Sequence, residues 1–267
     1  MPALSTPFSS PDAVLPGRQW RWISAASIVG NIALNYVSQA YPFNGQTNGA
    51  VSGKYPTLLT PAGYAFSIWG LIFLSLLLYA AWQLLPAQRR NPLPDAVALP
   101  LTLANLLTGL WLVVFAYERL ALSALVMLGI LLSLILVYGR ARRLVLAGES
   151  PALSSLPFAL FLGWISVATV INVTLGLWSW GWHGEENVRV LLTALLLAVV
   201  VALGLLVAYS FREAAFPLVV AWALVAIGVA RQSAYPELMW VAWGGAVVVA
   251  VGGLILSRRR LQVAVGL

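Results

Sequence analysis

A chain of 267 residues that is 61% hydrophobic and 9% charged is no ordinary soluble domain, which carries roughly 25% charged residues. Its net charge of +7 is basic, and the absence of Cys excludes disulfides, thiolate metal sites and cysteine nucleophiles. Apolar runs near twenty residues recur along it, the length a helix needs to cross about 30 Å of hydrocarbon.

Eight such runs are expected to form spans, at about 20–40, 62–85, 97–116, 120–138, 156–177, 190–210, 215–230 and 238–256. The fold class is therefore an all-α integral membrane protein, an eight-helix bundle. With the N-terminus inside, Arg18, Arg21, Arg89, Arg90, Arg140, Arg142, Arg143, Arg212 and Arg258 to Arg260 fall on the inner side. Only Lys54, Arg119, Arg189 and Arg231 fall outside, so both termini are expected in the cytoplasm. The basic charge then reflects positive-inside flanks and calls for no nucleic-acid partner. Arg18 and Arg21 followed by Ser38-Gln39-Ala40 resemble a signal peptide and cleavage site, but Asn31 and Asn35 interrupt the apolar core and argue against cleavage.

Residues 1–19, with four Pro and three Ser before Trp20, read as a flexible tail. The first helix carries Ser27, Asn31, Asn35 and Gln39, each four residues after the last. Successive members share a face, so they form either interhelical hydrogen bonds or the polar wall of a cavity. Residues 41–60 make the longest outer loop, with turn residues Gly45, Asn48-Gly49, Gly53 and Pro56, and a loop this long reads as a lid or binding element.

The second helix opens at Pro61, which suits a first turn because its missing N–H has no intrahelical partner. Phe66 and Trp69 share one face of it, and Gly63 and Gly70 allow close approach of a neighbour. The third helix offers Asn105, Thr108 and Trp111 at intervals of three, and Tyr117-Glu118-Arg119 joins it to the fourth in a tight hairpin. The fifth contains Trp164-Ile-Ser166-Val-Ala168-Thr169-Val-Ile171-Asn172. Trp164, Ala168 and Ile171 form one stripe there, beside a polar stripe of Ser166, Thr169 and Asn172, and both could line one cavity.

Beyond residue 183 the polar groups thin out, and Val190 to Val207 and Ala246 to Leu256 are mostly Val, Leu, Ala and Gly. Polar groups in a bilayer usually face the bundle interior. Residues 20–183 therefore read as the working unit, 184–257 as an appended three-helix module and 258–267 as a basic cytoplasmic tail. Gly244-Gly245 and Gly252-Gly253 suit helix packing. His183 sits among Trp178, Trp180 and Trp182 in what reads as an interfacial aromatic belt, and no second ligand accompanies it. No metal site and no catalytic set can be placed on one helical face. The predicted membrane interior holds no Asp, Glu, Lys, Arg or His, which argues against proton- or ion-coupled transport.

The pattern Trp164-x-Ser166-x-Ala168-Thr169-x-x-Asn172 resembles the fifth helix of the TspO/translocator protein family, the tryptophan-rich sensory proteins. Lys54-Tyr-Pro56, Pro61-Ala-Gly63-Tyr64 and Ile68-Trp69 resemble, in order, that family's Lys-Pro loop, its Pro-Pro-Gly-aromatic segment and its Val-Trp pair. Two departures stand out. The family's Leu-Asn-x-x-Trp, aligned on Trp111, puts Thr108 in the Asn position, and Pro157 lies further before Trp164 than the family places it.

The resemblance covers roughly residues 20–180 and implies a TspO-like five-helix core, with three further helices beyond it. It also implies a receptor or carrier that binds a tetrapyrrole such as porphyrin or haem, or a similar lipophilic ligand, in a Trp-lined cavity for sensing or transfer. Trp69, Trp164 and Ala168 would be pocket residues and Thr108, Thr169 and Asn172 polar contributors, with Phe66, Trp111, Asn31 and Asn35 completing the candidate set. A porphyrin-degrading enzyme is the alternative reading, and a structural membrane protein without a ligand is a third. No cofactor is required beyond such a tetrapyrrole ligand. The expected partners are the lipid bilayer and the small ligand, with a homodimer allowed, and the expected location is the bacterial inner membrane.

Overall fold

The computed structural model describes residues 18–55, 57–182 and 184–258, which contain helices and no strand. Most of the expected flexible tail, Pro56, His183 and the basic tail beyond Arg258 lie outside the described residues. Arg18 and Gln19, expected in the tail, instead open the first helix.

The helices are α1 (Arg18–Ala40), α2 (Asn48–Lys54), α3 (Ile68–Leu84), α4 (Leu93–Ala116), α5 (Leu120–Leu146), α6 (Leu156–Ser179), α7 (Glu186–Phe211), α8 (Ala215–Arg231) and α9 (Pro236–Arg258). Each expected span has a helix. Six helical stretches are long and apolar enough to cross a membrane: Gly63–Leu84, Leu93–Ala116, Leu120–Leu146, Ala152–Ser179, Glu186–Phe211 and Pro236–Arg258. The remaining two fall short of the eight-span expectation for different reasons. α1 is 23 residues long but diluted by Asn31, Asn35, Ser38 and Gln39, whereas α8 is apolar but only 17 residues long.

Boundaries shift where proline and arginine intervene. α4 begins at Leu93, earlier than its apolar run, with Pro94 in the first turn, where a missing N–H is harmless. Pro100 lies inside α4 and cannot donate to Ala96, four residues back. The carbonyl of Ala96 instead accepts from Arg140 Nη1 of α5 at 2.9 Å. α5 accordingly continues to Leu146, so Arg140, Arg142 and Arg143, expected in a loop, are helical.

Contacts between α1 and α4, α4 and α5, α5 and α6, α6 and α3, and α3 and α1 close a five-membered ring. α8 packs on the outer side of α6, and α7 and α9 pack on α8 and on each other. One end of the ring is tied by Arg21, which is buried and forks onto Asp95 through Nε at 2.6 Å and Nη2 at 2.5 Å. It also donates to the carbonyls of Gln88 and Asn91. A guanidinium can be taken out of water only when it is paired and hydrogen-bonded in this way.

Candidate ligand-binding cavity

The ring encloses a cavity of about 570 Å³, within the roughly 300–1,000 Å³ typical of small-molecule sites. α1 contributes Ile32, Asn35, Tyr36 and Gln39, and α3 with its 3-10 lead-in Gly63–Ser67 contributes Gly63, Phe66, Trp69, Gly70 and Phe73. Thr108, Trp111 and Phe115 come from α4, Met127 and Ile130 from α5, and Trp164, Ile165, Ala168, Ile171 and Asn172 from α6. No lining residue carries a formal charge.

Its walls are interlocked aromatic rings. Phe66 meets Trp164 edge-to-face at 5.8 Å between centroids, and Trp69 meets Phe161 at 5.7 Å and Phe73 at 5.1 Å. Trp111 stacks on Phe115 at 4.7 Å, and its indole N–H donates to Asn172 Oδ1 at 3.0 Å. The same oxygen accepts from Ser123 Oγ at 3.3 Å, while Asn172 Nδ2 donates to the carbonyl of Ala168. Asn172 is thus a fixed bracket for Trp111. By contrast, the indole N–H groups of Trp69 and Trp164 have no hydrogen-bond partner among the described residues. Asn35 Nδ2 donates to Asn31 at 2.9 Å, which leaves its Oδ1 without a donor among them.

Of the ten residues expected at a site, the fold brings eight to this cavity: Phe66, Trp69, Thr108, Trp111, Trp164, Ala168, Asn172 and Asn35. Two are not among the lining residues. Asn31 Nδ2 donates to Asn105 Oδ1 at 3.0 Å, so it joins α1 to α4, and Thr169 Oγ1 bonds the carbonyl of Ile165. Ser166 likewise bonds the carbonyl of Leu162. The apolar stripe of α6 therefore faces the cavity, and of its polar stripe only Asn172 does. A helical hydroxyl can satisfy itself on the carbonyl four residues back, so its place in a sequence does not show what it faces. The two readings of α1 are both realised, with Asn31 as a packing contact and Asn35 as a wall.

Sequence reasoning did not single out the α5 residues or Tyr36, because isolated apolar or aromatic side chains in a membrane helix carry no signal. The lid was signalled by loop length alone. α2 lies within residues 41–60 and closes one end of the cavity with Asn48, Gly49 and Ser52, together with its N-cap Thr47. Glu118, in the α4–α5 turn, fastens this lid. It accepts from Lys54 Nζ at 2.7 Å, Tyr55 Oη at 2.6 Å and Gln46 Nε2 at 2.8 Å. Glu118 adopts a left-handed φ of 55°, uncommon without a glycine, and these three donors hold it there. Lys54, then Tyr55 and Gln46, draw its carboxyl down to about 2, while burial and then Glu118 push Tyr55 up to about 12.

A family model described as TSPO-like protein matches residues 21–255. The chain belongs to the TSPO-like protein family. The match extends past residue 180, where the Trp motifs end, and runs through α7, α8 and most of α9, so the family pattern takes in all eight long helices. No curated protein and no solved structure matches the chain.

Proposed function

We propose that this TSPO-like protein is a membrane receptor or carrier for a tetrapyrrole or similar flat lipophilic ligand, held in the cavity between α1, α3, α4, α5 and α6. The observation that carries this reading is a neutral, aromatic-walled cavity in which two indole N–H donors and one amide oxygen are unused. Such a site favours a largely apolar ligand oriented by a few hydrogen bonds. Any carboxylate on the ligand meets no cation within the cavity, so its place is toward the lid, near Lys54. The polar contributors reduce to Asn35 and Thr108, with Asn172 acting through Trp111.

Trp164→Ala is expected to weaken protoporphyrin IX binding at least several-fold, because losing a buried ring contact removes about 0.5–1.5 kcal/mol beyond burial. Trp180→Ala, on an exposed indole beyond the end of α6, leaves it unchanged. Soret-band titration in detergent measures both, and mass spectrometry of the purified protein identifies any retained ligand. Equal affinity for wild type and Trp164→Ala removes the assignment.

The same reading has eight spans, with α1 and α8 completing the six long apolar ones, both termini cytoplasmic and α2 outside, in a bacterial inner membrane. It rests on the distribution of Lys and Arg. In this Cys-free chain, Ala50→Cys and Glu149→Cys should label from opposite sides. Labelling of both from one side ends the topology.

A further inference from the structure

The residues that lead into α3 form part of the cavity wall, yet no side chain of their own caps them. Neither the 3-10 turn Gly63–Ser67 nor the start of α3 has a side-chain cap. A helix start of this kind leaves backbone N–H groups that must find partners elsewhere. α8 supplies one. The carbonyl of Ala226 accepts from the N–H of Ala62 at 3.0 Å, and Trp222 Nε1 donates to the carbonyl of Ala65 at 3.1 Å. Tyr64 meets the Trp222 ring edge-on at 5.4 Å.

α8 also meets the ring at Gly163, the residue before Trp164. A Cβ there would stand 3.0 Å from Val219 Cβ and 3.3 Å from the carbonyl oxygen of Phe216, so glycine is what lets α8 approach so closely. One helix therefore touches the chain beside Phe66 and beside Trp164, the two rings that meet edge-to-face in the wall. Trp222 itself does not line the cavity.

We infer that α8 is the positioning element of this site: through Trp222 it fixes residues 62–66 against α6, and so sets the Phe66–Trp164 wall that a ligand meets. This assigns a role to the C-terminal helices. The effect on ligand affinity rests on the binding proposed above, while the positioning of residues 62–66 does not.

Two readouts separate these. A trifluoromethyl label on Ser67→Cys, an exposed position in the Cys-free chain, reports the segment by fluorine NMR without any ligand. The expected result is one resonance in the otherwise native protein, a second resonance or marked broadening with Trp222→Ala, and no change with Trp240→Ala, an exposed indole on α9. Protoporphyrin IX binding to folded Trp222→Ala is expected to weaken about three- to tenfold, the scale of a lost hydrogen bond and ring contact. Trp222→Phe, which keeps the ring and loses the N–H, falls between. It also decides the matter by the same readouts if Trp222→Ala does not fold. An unchanged fluorine spectrum in a folded Trp222 variant overturns the inference, whatever the affinity does. A changed spectrum in a protein that binds no protoporphyrin upholds the positioning role and refutes the ligand reading instead.

Discussion

The ring of α1, α3, α4, α5 and α6 and the outer pair α7 and α9 solve the same packing problem with different emphasis. Helices in lipid gain little from hydrophobic burial, because lipid tails are as apolar as leucine, so they associate through interhelical hydrogen bonds or through close van der Waals contact. The ring has close glycine contacts too, such as Gly109 of α4 against Leu34 of α1, but adds hydrogen bonds that join Asn31 to Asn105 and both Trp111 and Ser123 to Asn172. The outer pair uses small residues. A Cβ on Gly204 of α7 would fall 2.5 Å from Val249 Cγ2 of α9, and one on Gly252 of α9 2.7 Å from Leu205 Cδ2 of α7. Directional bonds fix where rings point, which a cavity requires. Glycine clefts bring helices together without orienting anything, which suffices for a brace.

The largest test lies where the two regions are joined. Arg142 of α5 is buried and donates to the carbonyls of Phe211 and Arg212, the C-terminal end of α7, and to Ser155 Oγ. Glu213 lies 3.6 Å from it. Arg142→Ala would leave those carbonyls and that carboxyl without their cation, a loss of about 3–5 kcal/mol for a broken buried pair. Thermal unfolding in detergent measures it, and a change under about 1 kcal/mol would mean that the two regions are not joined there.

A paired substitution sharpens the contrast itself. Asn172→Ala strands the indole donor of Trp111, while Ser123 keeps its bond to the carbonyl of Leu120, and should cost about 1–3 kcal/mol, with altered Trp fluorescence as the unbracketed ring moves. Gly204→Ala pushes against a β-branched side chain with little freedom to turn, at about 1–2 kcal/mol net of the helix propensity it gains. It should leave the binding of any cavity ligand untouched. A binding change with Gly204→Ala as large as that with Asn172→Ala would erase the distinction between the regions.

The smallest effect is at the lid. The carboxyl of Glu118 is held at about 2, below its ordinary 4.5, so its contribution is complete above pH 4.5 and lost only as pH falls through about 2. An environment-sensitive fluorophore on Ala50→Cys should therefore report a constant signal from pH 7 to 4 and a shift only under strong acid. Glu118→Ala should give the shifted signal already at pH 7. A transition near pH 4.5 in the native lid would show that the three donors do not hold Glu118 as the structure has them.

Much of the architecture was legible without coordinates. Apolar length must match the bilayer and backbone groups must bond internally, so the positions of the long helices follow from composition. The Trp motifs of α3 and α6 also marked two helices of one cavity, since large rings with polar neighbours are unneeded against lipid. What the residues could not show was which way a small polar group faces. Thr169 and Ser166 bond their own helix, Asn31 reaches α4, and Asn35, one turn on from Asn31, reaches the cavity. Each choice depends on what stands opposite.

The sequence by itself determined a helical membrane protein of the TSPO-like pattern and four of the rings that line its cavity, Phe66, Trp69, Trp111 and Trp164. Only the tertiary structure decided that Glu118 fastens the lid, that Arg140 answers the proline in α4, and that α8 holds the start of α3. The physical reason is one of range. Periodicity and hydropathy act between residues a turn apart, whereas a lone carboxylate, a carbonyl orphaned by proline and an uncapped helix start are satisfied by groups far along the chain, which no local pattern names.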